Sequence, residues 1–106
     1  MILVYITTKD EAEAVKIAEH LLNRRLIGCA NFFPIKSKYW WEGKIADDSE
    51  FLLLCKSLDE KYDEIKTEVK KIHPYTVPCI TMIREEANAE YLDWLKKEVS
   101  GQKIEQ

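Results

Sequence analysis

Two extended stretches meet at Gly43, and their length constrains the fold more than any other feature of the chain. Cys29 to Trp41 carries Phe32, Phe33, Ile35, Tyr39, Trp40 and Trp41, residue types that suit a pleated backbone. Gly43 tolerates the positive φ of a tight turn, and Lys44 to Lys56 returns along the first stretch. Each arm of this hairpin has about a dozen residues, or roughly 40 Å at about 3.3 Å per residue. That is about twice a typical strand. Pro34 cannot donate to a ladder, so the first arm belongs at a sheet edge or is bulged there. Asp47, Asp48 and Ser49 suggest a kink in the second arm. Phe51 to Cys55 is apolar on both alternating faces, the pattern of a central strand covered on both sides.

The flanking segments supply the rest of the architecture. Ile2 to Thr7 is a short run of strand formers. Asp10, with Glu13 three residues later, starts a helix. Val15, Ala18 and Leu22, with Ala14 and Leu21 beside them, form its apolar stripe, and Gly28 is its expected stop. Ser57 and Glu60 have the spacing of a capping box for a second helix, whose stripe is Leu58, Tyr62, Ile65, Val69 and Ile72. His73-Pro74 ends it, because a residue before proline avoids the helical region. Cys79 to Ile83 is a fourth strand. Asn88 caps a last helix with Tyr91, Leu92, Leu95 and Val99 on its stripe, and Gly101 and a polar tail follow. The order β-α-β-β-α-β plus a C-terminal helix is the ferredoxin-like split βαβ arrangement, an α+β fold with helices on one face of an antiparallel sheet. Residues 1–106 are read as a single domain.

The hairpin is too long for such helices to cover. About fifteen helical residues span roughly 22 Å at 1.5 Å rise, so the tip with Tyr39, Trp40 and Trp41 must project. The open sheet face is also apolar, since Leu52 and Leu54 alternate with Phe51, Leu53 and Cys55, and Leu3 and Tyr5 with Ile2, Val4 and Ile6. Large apolar patches usually mark interfaces. Both features point to a homo-oligomer with sheet faces packed together and hairpins reaching onto neighbours. The alternative is that the third helix folds over the open face and the tryptophans lie at the surface.

Other classes of function are disfavoured by composition. Sixteen basic against nineteen acidic residues leave a net charge of −3, whereas nucleic-acid binding needs a basic face. No apolar run is long enough to span a membrane, and MILVYITT reads as a first strand and not a signal peptide. Three cysteines far apart in sequence argue against a disulfide framework, so the cytoplasm is the expected location. Three glycines, Gly28, Gly43 and Gly101, cannot build a dinucleotide fingerprint or a P-loop, and no metalloprotease or nucleophile-elbow motif occurs. No enzymatic activity is expected.

The string Y-W-W-E-G-K-I at Tyr39 to Ile45, followed by H-P-Y-x-x-P at His73 to Pro78, resembles the divalent-cation tolerance family called CutA. The resemblance runs over nearly the whole chain, through L-I-G-C-A-N at Leu26 to Asn31 and Y-L-D-W-L at Tyr91 to Leu95. It implies a ferredoxin-like subunit in a tight homotrimer similar to the PII signalling proteins. It also implies a role in tolerance of copper and other divalent metals, with no established catalysis and no obligatory cofactor. Ile6 stands where some relatives carry a cysteine connected with copper.

Two residues are candidate metal ligands. His73 offers imidazole, a common ligand for copper and zinc, in a loop stiffened by Pro74 and Pro78. Its other reading is a helix-end histidine bonded to the last carbonyls. Cys79 offers a thiolate suited to soft metals, or is a small buried strand residue. Tyr39, Trp41, Glu42 and Lys44 are candidates to line a cleft against the loop of Tyr75 in another subunit. An aromatic wall with a lysine suits a small anion or a planar ligand, which is the alternative, PII-like reading. The same residues would also serve as interface packing with a rim salt bridge.

Overall fold

In the computed structural model, residues 1–100 are described, and Gly101 with the polar tail lies outside them. The elements are β1 (Ile2–Thr8), α1 (Glu11–Asn23), β2 (Cys29–Trp41), β3 (Lys44–Ser57), a single 3-10 turn (Asp59–Lys61), α2 (Tyr62–Ile72), β4 (Ile80–Arg84) and α3 (Ala89–Ser100). The strands form one antiparallel sheet in the order β2-β3-β1-β4, which is the ferredoxin-like α+β topology. The molecule measures 51 × 26 × 22 Å, and β2 and β3 account for the long dimension. Among the described residues, no helix is long and apolar enough to cross a membrane.

Strand alternation divides the sheet into two unequal faces. Ile2, Val4, Ile6, Leu53 and Cys55 point to one face and are fully buried against Ile17 and Leu21 of α1 and Ile65 and Val69 of α2. On the other face Leu52 is buried, whereas Leu3, Tyr5 and Leu54 are half-buried. Phe33 and Ile83 on that face remain 43% and 51% exposed. The third helix meets this surface at one end, where Leu95 lies beside Gly28 and the ammonium of Lys56, opposite Leu3, sits 5.4 Å from the Tyr91 ring centre, and it leaves Phe33 and Ile83 uncovered.

The hairpin pairs without interruption from Cys29↔Lys56 to Trp41↔Lys44. Pro34 causes no bulge, because β2 is the edge strand and tolerates a missing donor. The expected kink at Asp47 to Ser49 does not break β3 either.

Local signals succeed where their partners are local. The Asp10 carboxylate accepts from the Glu13 backbone N–H at 2.8 Å, a standard N-cap. Other expectations need correction. Helix α1 ends before Gly28, in a Schellman motif. Arg25 takes the left-handed position (φ 59), Leu26 N–H donates to the Leu21 carbonyl, and Arg25 N–H donates to that of Leu22. The Ser57–Glu60 capping box does not form. Ser57 is the last residue of β3, and its buried hydroxyl donates to the Leu26 carbonyl at 2.5 Å. Cys79 falls just before β4 instead of opening it. His20 bonds Glu68 at 2.9 Å and ties α1 to α2.

Candidate ligand cleft

Proline at position 74 forces His73 out of the helix, and the C-cap residue adopts extended backbone (ψ 131). The ring then turns inward and is only 8% exposed. Its Nε2 lies 2.8 Å from the Thr7 carbonyl at the end of β1, and its Nδ1 lies 3.2 Å from the Tyr75 backbone N–H. A carbonyl can only accept and an N–H can only donate, so Nε2 carries the proton and Nδ1 the engaged lone pair. The His73 ring therefore bonds neither the last carbonyls of its helix, which its backbone N–H alone reaches at Val69, nor, in this geometry, a metal. It fastens the 74–79 loop to β1, with the Tyr75 ring edge-on at 4.7 Å.

Tyr75, placed by that anchor, donates its hydroxyl to Glu50 at 2.6 Å. Glu50 is 7% exposed, so this bond offsets the cost of burying a carboxylate. Burial, and then the bond to Glu50, push the Tyr75 phenol far above its ordinary range. A second phenol repeats the arrangement nearby, since Tyr39 donates to Asp48. That bond raises the Tyr39 pKa. The pleat explains the repetition. Asp48 and Glu50 lie two residues apart on β3 and share one face, opposite Ser37 and Ile35. Tyr39, opposite Ala46, reaches Asp48 diagonally.

These side chains border an open cleft of about 840 Å³ between the hairpin and the 74–79 loop. Of the residues expected to matter, Tyr39, Trp41, Tyr75 and Cys79 line it. Glu42 (φ 50) and Gly43 (φ 81) form the turn at the hairpin tip, and neither Glu42 nor Lys44 lines the cleft within one chain. Asp48, Glu50 and Lys9 line it too and were not anticipated. Pairing the two arms symmetrically about the turn places both carboxylates on the Tyr39 and Trp41 face, but the polar run D-D-S reads more readily as a kink.

The soft donor pair fits a metal poorly. Both His73 nitrogens are engaged, and the Cys79 thiol is raised above its ordinary pKa by burial and by Glu50, which disfavours the ligating thiolate. Among the described residues, no group of three or more His, Cys, Asp and Glu side chains is placed to hold a metal ion. What the cleft offers a cation is a set of oxygens, namely two carboxylates and two phenols.

Comparison with known proteins agrees with the sequence motifs and the fold. The family model described as CutA1 divalent ion tolerance protein matches residues 2–98. The divalent-cation tolerance protein CutA of Thermotoga maritima is 43% identical over 100 residues, covering 93% of this chain and 99% of that one. The structure of the periplasmic divalent cation tolerance protein CutA from Archaeoglobus fulgidus is 46% identical, with a TM-score of 0.91 over 93% of this chain and 99% of that one. The divalent cation tolerance protein of Thermus thermophilus is 42% identical, with a TM-score of 0.88 over 92% and 98%. By sequence over nearly its full length, and by fold, the chain belongs to the CutA1 family of divalent ion tolerance proteins.

Proposed function

We propose that the chain is a non-catalytic divalent-cation tolerance protein, working as a homotrimer in the cytoplasm and meeting its cation at the hairpin cleft. The observation that carries this reading is the charge of the cleft. Asp48 and Glu50 face a space in which, among the described residues, Lys9 is the one cationic lining residue. Relatives of high identity from Archaeoglobus fulgidus and Thermotoga maritima bear the divalent-cation tolerance name, which accords with such a site. Oxygen donors suit harder divalent ions. Copper at His73 or Cys79 would have to displace a backbone bond or strip a thiol proton. The two carboxylates also weigh against the PII-like reading of a small-anion sensor.

The trimer is supported by the exposed apolar surface. Trp40 is 72% and Ile45 60% exposed near the tip, the end of the hairpin opposite the part of β3 that packs against α1 and α2. Surfaces of this kind are normally covered by a partner. Sedimentation of the purified protein tests the assembly. Three chains are expected, and Trp40→Asp should shift the mass toward one chain, whereas a folded parent monomer at micromolar concentration refutes the trimer. For the cation, MnCl2, ZnCl2 and CuCl2 should each raise the melting temperature of the parent and do so less in Asp48→Asn. Equal shifts in both proteins would remove the cleft from the reading.

A further inference from the structure

We infer that the cleft also takes an organic dication, a short aliphatic diamine, with one ammonium on each carboxylate and the methylene chain against the rings. This rests on the cleft being a cation site, but not on the cation being a metal.

Three observations carry it. First, the two carboxylates are held separately. Each is tied to a different phenol, Asp48 to Tyr39 and Glu50 to Tyr75. Their backbone positions are two residues apart on one strand face, or roughly 7 Å at about 3.4 Å per residue. Two charges held apart match a ligand with two separated positive charges, and a short methylene chain spans that interval. Second, neither carboxylate is exhausted by its phenol. An ionised carboxylate has about four acceptor sites, so each can receive ammonium donors while keeping its tyrosine. With two carboxylates against the single ammonium of Lys9, the lining keeps a net charge of about −1 for a cation to balance. Third, the walls are aromatic. Tyr39, Trp41 and Tyr75 line the cleft, and ring faces attract alkylammonium groups as well as packing against methylenes. A bare metal ion makes no use of those rings. The volume, about 840 Å³, falls within the usual range of small-molecule sites.

Isothermal calorimetry on the full chain tests the inference with 1,4-diaminobutane, butylamine and 1,4-butanediol, and with MnCl2 as a separate arm. The diamine should bind, the monoamine more weakly, and the neutral diol not at all. Asp48 is exposed, so Asp48→Asn should fold normally, and it should weaken the diamine by about tenfold or more, as expected for a lost charged hydrogen bond. Tyr75→Phe, which unties Glu50, should weaken it as well. Equal affinity for diamine and diol, or an unchanged affinity in Asp48→Asn, overturns the proposal. So does a parent that ignores the diamine while Asp48→Asn breaks the assembly in the ultracentrifuge, since the carboxylates would then hold a lysine of a neighbouring copy. Manganese binding without diamine binding defeats this inference alone. Diamine binding without any metal response defeats the metal reading and leaves this one standing.

Discussion

Gly28→Ala is the sharpest test of how the third helix is held. A Cβ at Gly28 would stand 2.5 Å from Leu95 Cδ1, with the Trp94 ring at 3.5 and 3.7 Å. Carbon atoms rest at about 3.5–4.0 Å, so the Trp94 contacts are ordinary and the Leu95 contact is an overlap of about 1 Å or more. Leu95 is fully buried and cannot swing into solvent. Overpacking of this kind costs about 1–3 kcal/mol. Removing a glycine from the unfolded chain returns about 0.4–1 kcal/mol. The midpoints of these two ranges leave a net loss of about 1.3 kcal/mol, within limits of roughly 0 and 2.6 kcal/mol. Leu95→Ala alone should cost about 2–5 kcal/mol by opening a cavity. In the double variant the new methyl enters the vacated space, so the combined loss should fall short of the sum by about 1 kcal/mol or more. Guanidinium unfolding at one fixed chain concentration measures all four proteins. A Gly28→Ala protein more stable than the parent, or a double variant that is additive within about 0.5 kcal/mol, would refute the packing argument.

Further predictions follow from single bonds. Asp10→Ala removes the N-cap of α1 and should cost about 0.5–2 kcal/mol, read from the denaturation midpoint, with Asp10→Ser close to the parent. Tyr75→Phe leaves the buried Glu50 without its phenol and should cost about 1.5–3 kcal/mol; a neutral result would mean that solvent reaches Glu50. Hydrogen bonds from Lys71 and then His20, with the Arg24 charge, lower Glu68 from its ordinary 4.5 to about 2. Because the folded value is depressed, its contribution is complete above pH 4.5 and is lost as pH falls toward 2. Glu68→Gln should therefore flatten the acid limb of the stability profile, and a profile parallel to that of the parent would contradict the assigned clasp.

Much of the chain declares itself in sequence because its signals are local. The period of two in Ile2 to Thr8 and along the hairpin, the helical stripe of α2, the Asp10 cap and the His73-Pro74 stop each depend on neighbours a few residues away. The α1 stripe expected at Val15, Ala18 and Leu22, by contrast, is turned by packing onto Ala14, Ile17, Ala18 and Leu21, leaving Leu22 38% exposed. The aromatic turn likewise announces an apolar tip that the described residues leave exposed. Other features were decided only by tertiary structure, because a side chain with several possible partners bonds the one that folding brings close. Ser57 has capping-box spacing, yet its hydroxyl is taken by Leu26, 31 residues away. His73 carries the chemistry of a ligand, yet the Thr7 carbonyl, 66 residues away, consumes its proton donor. Arg25 adopts a glycine-like conformation because two backbone bonds at the end of α1 hold it there. Asp48 and Glu50 are ordinary surface residues until the unbroken register of β2 and β3 turns both toward Tyr39, and the 74–79 loop brings Tyr75 across to them. Sequence periodicity thus determines which segments are strands and helices, but the cation-facing cleft exists only where three distant segments converge.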